Sequence, residues 1–130
     1  MRRMRTERDS IGEMEIPAEA DYGIHTARAV ENFPITGITL AHFPELIESL
    51  AMVKKAAALA NRDFGSLKPK VAQAIVSACD LVIAGDEHHD FVVDMLQGGA
   101  GTSTNMNANE VIANLALKLG RKLKWDPVKE

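Results

Sequence analysis

Residues 97–110 read Gln97-Gly98-Gly99-Ala100-Gly101-Thr102-Ser103-Thr104-Asn105-Met106-Asn107-Ala108-Asn109-Glu110. The glycines at 98, 99 and 101 let the backbone take positive φ and come close to a ligand. Hydroxyl residues follow at once, and either Thr102 or Ser103 is placed to cap a helix opening there. Ala108, Ile112, Leu115 and Leu119 then recur at helical spacing, which predicts a helix from about Ser103 to Gly120. The start of a helix exposes unpaired N–H groups with partial positive charge, which suits a carboxylate or phosphate. A loop that simply caps its helix is the plainer alternative. No Lys follows the last glycine, as a nucleotide-hydrolase phosphate loop requires, and no strand–helix–strand context makes the stretch a dinucleotide fingerprint.

Working outward, two more helices precede this one. Pro44 is a good first helical residue, and Leu46, Leu50, Val53, Ala57 and Ala60 form a stripe widened by Ile47, Ala51 and Ala58. That helix is predicted to end near Asn61. A second is predicted from Pro69 to about Ala84, with Val71, Ile75, Ala78 and Val82 on one side, Ala72, Val76, Cys79 and Ile83 beside them, and Gly85 closing it. Residues 85–90 read as a polar loop, and 91–96 as a short apolar segment of undetermined type. Nearer the start, Thr26 is a candidate cap for a short helix to about Glu31, which Asn32-Phe33-Pro34 terminates. Residues 1–23 lack helical periodicity and read as an extended arm with turns around Gly12 and Pro17. The chain is thus expected to be mainly α, with an arm over 1–23, helices within 24–120 and a tail over 121–130 holding Trp125, the lone tryptophan.

Asparagine is a poor helix former, yet Asn105, Asn107, Asn109 and Asn114 fall inside the predicted helix. Asn107 and Asn114 share a face, with Glu110 between them. Such a stripe must be solvated, paired across an interface or aimed at a ligand.

The 130 residues suit one domain, 1–130. Apolar residues make up 46% and aromatic residues 5%, so the core must come from Ala, Leu, Ile, Val and Met, which favours helices. The net charge of −3 argues against a nucleic-acid partner, and the basic ends (Arg2, Arg3, Arg5, Arg8; Lys118, Arg121, Lys122, Lys124) lack interleaved aromatics. No apolar run approaches a membrane span and no signal peptide opens the chain, so a cytoplasmic protein without a membrane partner is expected. Cys79 is the single cysteine, which excludes an intrachain disulfide and a cysteine zinc site, and it reads as a buried thiol. His88-His89 among Asp86, Glu87 and Asp90 reads as a solvated loop, so no metal site is expected. His42 reads as a surface residue, His25 as a structural or subunit-contact residue, and Arg28 as an anchor for the N-terminal segment.

The same stretches resemble a known family. Gly98-Gly99-Ala100-Gly101-Thr102-Ser103, Asn105-Met106-Asn107 and Asn109-Glu110-Val111-Ile112-Ala113-Asn114 are similar to the first conserved block of the aspartase/fumarase superfamily. Glu7-Arg8-Asp9-Ser10-Ile11-Gly12, Ile16-Pro17, Tyr22-Gly23-Ile24-His25-Thr26, Arg28-Ala29, Glu31-Asn32-Phe33-Pro34-Ile35 and Met52-Val53-Lys54-Lys55-Ala56-Ala57 resemble its earlier segments in the same order. The Gly-Gly-Ala-Gly-Thr-Ser form resembles the aspartate ammonia-lyase branch. Class II fumarases typically carry a serine where this chain has Ala100, and Gln-Ser where it has Ser103-Thr104.

The resemblance implies the N-terminal helical domain of that fold without its central long-helix bundle. It implies a carbon–nitrogen lyase that reversibly deaminates L-aspartate to fumarate and ammonia, without a cofactor, in a homotetramer. By carry-over, Thr102 contacts substrate near the amino group, Ser103 and Gly101 shape the pocket, and Asn107 supports it. The family's serine loop, Gly-Ser-Ser-x-Met-Pro-x-Lys-x-Asn, has no counterpart here, so no catalytic base is assigned and the 130 residues alone are expected to be inactive. The alternatives are a class II fumarase fragment, a helical assembly module without activity, and a split subunit completed by a second chain.

Overall fold

The computed structural model describes residues 2–124, with side chains through Arg121. The expected arm is a hairpin. Strand β1 (Met4–Arg8) pairs antiparallel with β2 (Glu13–Pro17), with Met4 opposite Pro17 and Arg8 opposite Glu13. The Asp9 carboxylate accepts the Ile11 and Gly12 amides, and Gly12 adopts φ 143° to close the turn. Strand residues alternate between solvent and protein, and Ile16 is fully buried with Ala20 and Ile24 in a small cluster of its own. Periodicity of two over five residues is too short to stand out against the polar composition of this segment.

Four helices follow: α1 (Ile24–Asn32), α2 (Pro44–Asp63), α3 (Pro69–Ile83) and α4 (Thr102–Lys124). Pro44 and Pro69 occupy the first turns of α2 and α3, where the missing N–H costs nothing. Helix α4 runs through Gly120 to Lys124, because Gly120 keeps a negative φ and lies inside the helix instead of closing it. Trp125 lies outside the described residues. Helices α2, α3 and α4 pack on one another, and α1 lies against α4. Their shared core holds Leu40, Ile47, Ala51, Ala78, Cys79, Val82, Phe91, Val93, Ala108, Val111, Ile112 and Leu115.

Several local readings change or are filled in. On α2 the inward face is Ile47, Ala51 and Ala58, whereas Leu46 and Val53 point outward, with Val53 65% exposed. A stripe so rich in alanine runs round most of the helix, and the partner helices select the face that is buried. Thr26 is not a cap: it sits in the first turn of α1, fully buried, and Gly23 is the capping residue. The unassigned segment is a β-like bridge: Thr39 pairs with Asp94, and the Leu40 and Ala41 amides donate to the Val93 and Phe91 carbonyls. The 85–90 loop is also less solvated than expected. His88 is half-buried, bonds the Val82 carbonyl at 2.8 Å and meets the Phe91 ring edge-on, while His89 remains exposed.

Candidate functional site

The glycine-rich loop is held from behind and open in front. Its anchor is Asp94, buried to 5% exposure. The Asp94 carboxylate accepts the Leu96, Thr36 and Gly37 amides and the Thr36 hydroxyl at 2.8–2.9 Å. The Leu96 amide, followed by Thr36 and Gly37, holds its carboxyl down at about 2 against the opposing effect of burial. Met95 adds an amide bond to the Ile38 carbonyl. Segment 36–41 is thereby stapled to segment 91–96. The aromatic edge of Phe33 lies so close to Gly98 that a Cβ there would sit 3.2 Å from it.

From this base Gln97 reaches forward. Its amide nitrogen donates to the Asp94 carbonyl at 3.0 Å and to the Thr104 hydroxyl at 2.6 Å, and its oxygen accepts the Thr104 amide at 3.2 Å. The Thr104 amide also reaches the Gly101 carbonyl at 3.1 Å. Gln97 therefore does the capping expected of Thr102 or Ser103. Gly99 and Gly101 take φ 71° and 77°, which L side chains rarely adopt, and turn the chain into α4. Gly98, Gly99, Ala100 and Thr102 are exposed, and Gly101 and Ser103 half-buried. Among the described residues neither the Thr102 nor the Ser103 hydroxyl has a hydrogen-bond partner, and the first turn of α4 carries no acidic residue. Thr102 is exposed and Ser103 half-buried at the amide-rich start of a 23-residue helix, an arrangement that accepts a small anion.

The asparagine stripe is mostly wiring within the chain. Asn107 is fully buried; it accepts the Val93 amide at 3.3 Å and donates to the Asp90 carbonyl at 2.9 Å. It lies one turn behind Ser103 and fixes the segment leading to the loop. Asn114 donates to the Asp21 carbonyl, and Asn105 accepts the Lys54 ammonium. Gly101, Thr102 and Ser103 are contiguous at the surface, and Asn107 stands behind them.

Glu110 carries a role that the sequence reading missed. Its carboxylate accepts the Thr26 hydroxyl at 2.6 Å, the Thr26 amide at 2.7 Å and the His25 amide at 3.2 Å. Glu7 accepts the Ile24 amide at 3.1 Å, so two carboxylates from distant elements cap α1. Gly23 makes room: a Cβ there would lie 2.1 Å from a Glu110 oxygen. The hairpin is tied down beside it. The Arg5 guanidinium donates to the Pro17, Ala18, Ala20 and Tyr22 carbonyls, and Arg28 holds Asp9 through bonds of 2.6 and 2.9 Å, the anchoring role expected of it. That pairing holds the Asp9 carboxyl down to about 2. His25 is exposed.

Glu87, His89 and Asp90 each bring one donor atom within 4.8 Å of the others. Asp90 already accepts the Asp21 amide at 2.8 Å, and Asp21 pairs with Lys118. Burial, then the nearby Asp21, pushes the Glu87 carboxyl up from its ordinary value. Among the described residues no helix is long and apolar enough to cross a membrane.

Comparison with known proteins agrees with this architecture. Residues 12–127 match a family described as Lyase. The aspartate ammonia-lyase of Pseudomonas aeruginosa is 60% identical over 114 residues, which are 88% of this chain and 24% of that protein. A class II fumarate hydratase of Halobacterium salinarum is 56% identical over 115 residues, again 88% of this chain and 24% of the relative. Among solved structures, a Brucella melitensis fumarate lyase:delta crystallin bound to cobalt superimposes with TM-score 0.90 at 55% identity over 92% of this chain and 26% of that one. The class II fumarase of Schistosoma mansoni gives 0.87 at 38% identity over 92% of this chain and 25% of its own. The chain spans about a quarter of the length of the curated relatives it matches. With its mainly helical build and small two-stranded sheet, it belongs to the aspartase/fumarase lyase family and corresponds to that fold's N-terminal domain.

Proposed function

We propose that this chain is the N-terminal portion of an aspartate ammonia-lyase and supplies one wall of the substrate site. The observation that carries the reading is the Gly101-Thr102-Ser103 turn, exposed at Thr102 and half-buried on either side, whose hydroxyls are not consumed as helix caps. L-Aspartate and fumarate carry carboxylates suited to the start of α4. Removal of the proton next to the β-carboxylate creates a dianion, and donors fixed beforehand at the start of a helix stabilise such charge best. The Thr102 hydroxyl can accept from the substrate ammonium, while Ser103 and the Gly101 backbone shape the wall. Asn107 supports it by fixing segment 90–93. The general base and the remaining walls come from outside these 130 residues, in a homotetramer, and the chain alone has no turnover.

The Ala100 position favours aspartate over malate as substrate, by similarity to the aspartate ammonia-lyase branch. The test is a chimera in which this chain replaces the matching quarter of the Pseudomonas aeruginosa enzyme, with fumarate followed by its ultraviolet absorbance. Formation of fumarate from L-aspartate in preference to L-malate is expected. A folded chimera that prefers malate, or turnover by the 130-residue chain by itself, would overturn the assignment.

A further inference from the structure

We propose that Gln97 is the positioning residue of the glycine-rich loop, and that it caps α4 from outside so that the Thr102 and Ser103 hydroxyls stay available for a dicarboxylate ligand. A serine or threonine at a helix start ordinarily turns its oxygen back onto an amide of the first turn. Here that acceptor is the Gln97 carboxamide, which reaches the Thr104 amide and the Thr104 hydroxyl together. Its other half donates to the carbonyl of Asp94, the residue whose carboxylate gathers Thr36, Gly37 and Leu96. One side chain thus joins the start of α4 to the backbone of Asp94, a residue whose own carboxylate is held by four donors. The loop between them contains three glycines and would otherwise hold many conformations. The two jobs fall on different residues: Gln97 orders, and Thr102 and Ser103 bind.

Only the ligand half of this inference rests on the reading given under Proposed function, so the experiment has two independent arms. The full 130-residue chain, labelled with nitrogen-15, is compared with Gln97→Ala, Gln97→Glu, Thr102→Val and Ser103→Ala. The first arm is amide exchange at Thr104. Gln97→Ala should speed it roughly tenfold, the scale of a lost cap, whereas Thr102→Val and Ser103→Ala should leave it within about twofold. Gln97→Glu keeps an acceptor for the amide and should stay within about threefold of the parent, which separates loss of the cap from loss of folding. The second arm measures fumarate inhibition and the KM for L-aspartate in the full-length chimera described above, carrying the same substitutions, because the remaining walls of the site are present there. Ser103→Ala should weaken fumarate binding about tenfold and Thr102→Val should weaken L-aspartate, whose ammonium its hydroxyl accepts, by a similar factor, both without changing exchange, and Gln97→Ala should change both binding and exchange. Unchanged Thr104 exchange in Gln97→Ala, equal loss in Gln97→Glu, or equal loss in Ser103→Ala or Thr102→Val overturns the positioning role. If the exchange pattern is as expected but neither Ser103→Ala nor Thr102→Val weakens fumarate or L-aspartate binding in the chimera, the positioning role stands and the assignment of the loop to substrate falls.

Discussion

Replacing Glu110 with alanine should destabilise the domain by roughly 2–3 kcal/mol, although the residue is polar and only half-buried. The carboxylate accepts three hydrogen bonds from the first turn of α1. The His25 amide lies beside an exposed residue, and water can take the place of the lost acceptor. The Thr26 amide has no such escape, because Thr26 is fully buried, and an orphaned buried donor costs about 1–3 kcal/mol. Loss of a negative charge at a helix start adds about 0.3–1 kcal/mol. For a chain of this size the sum lowers Tm by roughly 6–15 °C. Urea unfolding followed by far-ultraviolet circular dichroism reads the loss as a lowered midpoint with unchanged slope. Glu110→Gln, which keeps the acceptor for Thr26, should lose about half as much. Gly23→Ala supplies the cross-check, because its Cβ would press on the same carboxylate. It should harm the parent and be far milder beside Glu110→Ala, a coupling that a double-mutant cycle measures. A loss below about 0.5 kcal/mol for Glu110→Ala, or additivity in that cycle, would refute the capping role.

Three further outcomes follow from single residues. Asp94 has a folded-state carboxyl held at about 2, below its ordinary 3.8, so its contribution is complete above that ordinary value and vanishes as pH falls through about 2. The stability gap between the parent and Asp94→Asn should therefore close between about pH 4 and pH 2, and a gap constant over that interval would contradict the four-donor geometry. Glu87 occupies the left-handed region at φ 64° and its carboxyl is raised by burial and by Asp21, so Glu87→Gly should stabilise the chain by about 1 kcal/mol at neutral pH and by less in acid; a destabilised variant in calorimetry would count against the strain. Cys79 is fully buried and its thiol is pushed up to about 11, so alkylation of the native chain should be slow and become fast only in denaturant, whereas rapid labelling in native buffer would place it elsewhere.

The helices were legible because their signals are local. Pro44 and Pro69 mark starts that the chain uses, and Ala108, Ile112 and Leu115 sit where the period puts them. The face of α2 was not legible, because alanine on nearly every side gives no preference until α3 and α4 choose one. The loop glycines and hydroxyls stood out from composition alone. Their supports did not, for reasons of distance. Glu110 serves Thr26, 84 residues away, and Asp94 serves Thr36, 58 residues away; no local pattern encodes such pairs. Gln97 is the exception: it lies seven residues before Thr104, a spacing at which a carboxamide can replace the usual hydroxyl cap across a glycine turn. From sequence Asn107 is open between solvent, an interface and a ligand, because asparagine is a poor helix former, and the bridge segment beside it absorbs its hydrogen bonds.

The bonds from Glu110, Asn114 and Lys118 back to residues 21–26 set the order of assembly during translation. The hairpin and α1 leave the ribosome before α4, yet Glu110, Asn114 and Lys118, which complete the cap of α1 and anchor Asp21, arrive 84 to 97 residues later. At about 5–20 residues per second the His25 and Thr26 donors of the nascent α1 wait roughly 4–17 s for Glu110, long enough for a chaperone to bind and release it. Helices α2 and α3, neighbours in sequence, can dock during that wait. Synonymous codons that slow elongation between α3 and α4 would lengthen the exposure of α1 without altering a single residue of the native fold.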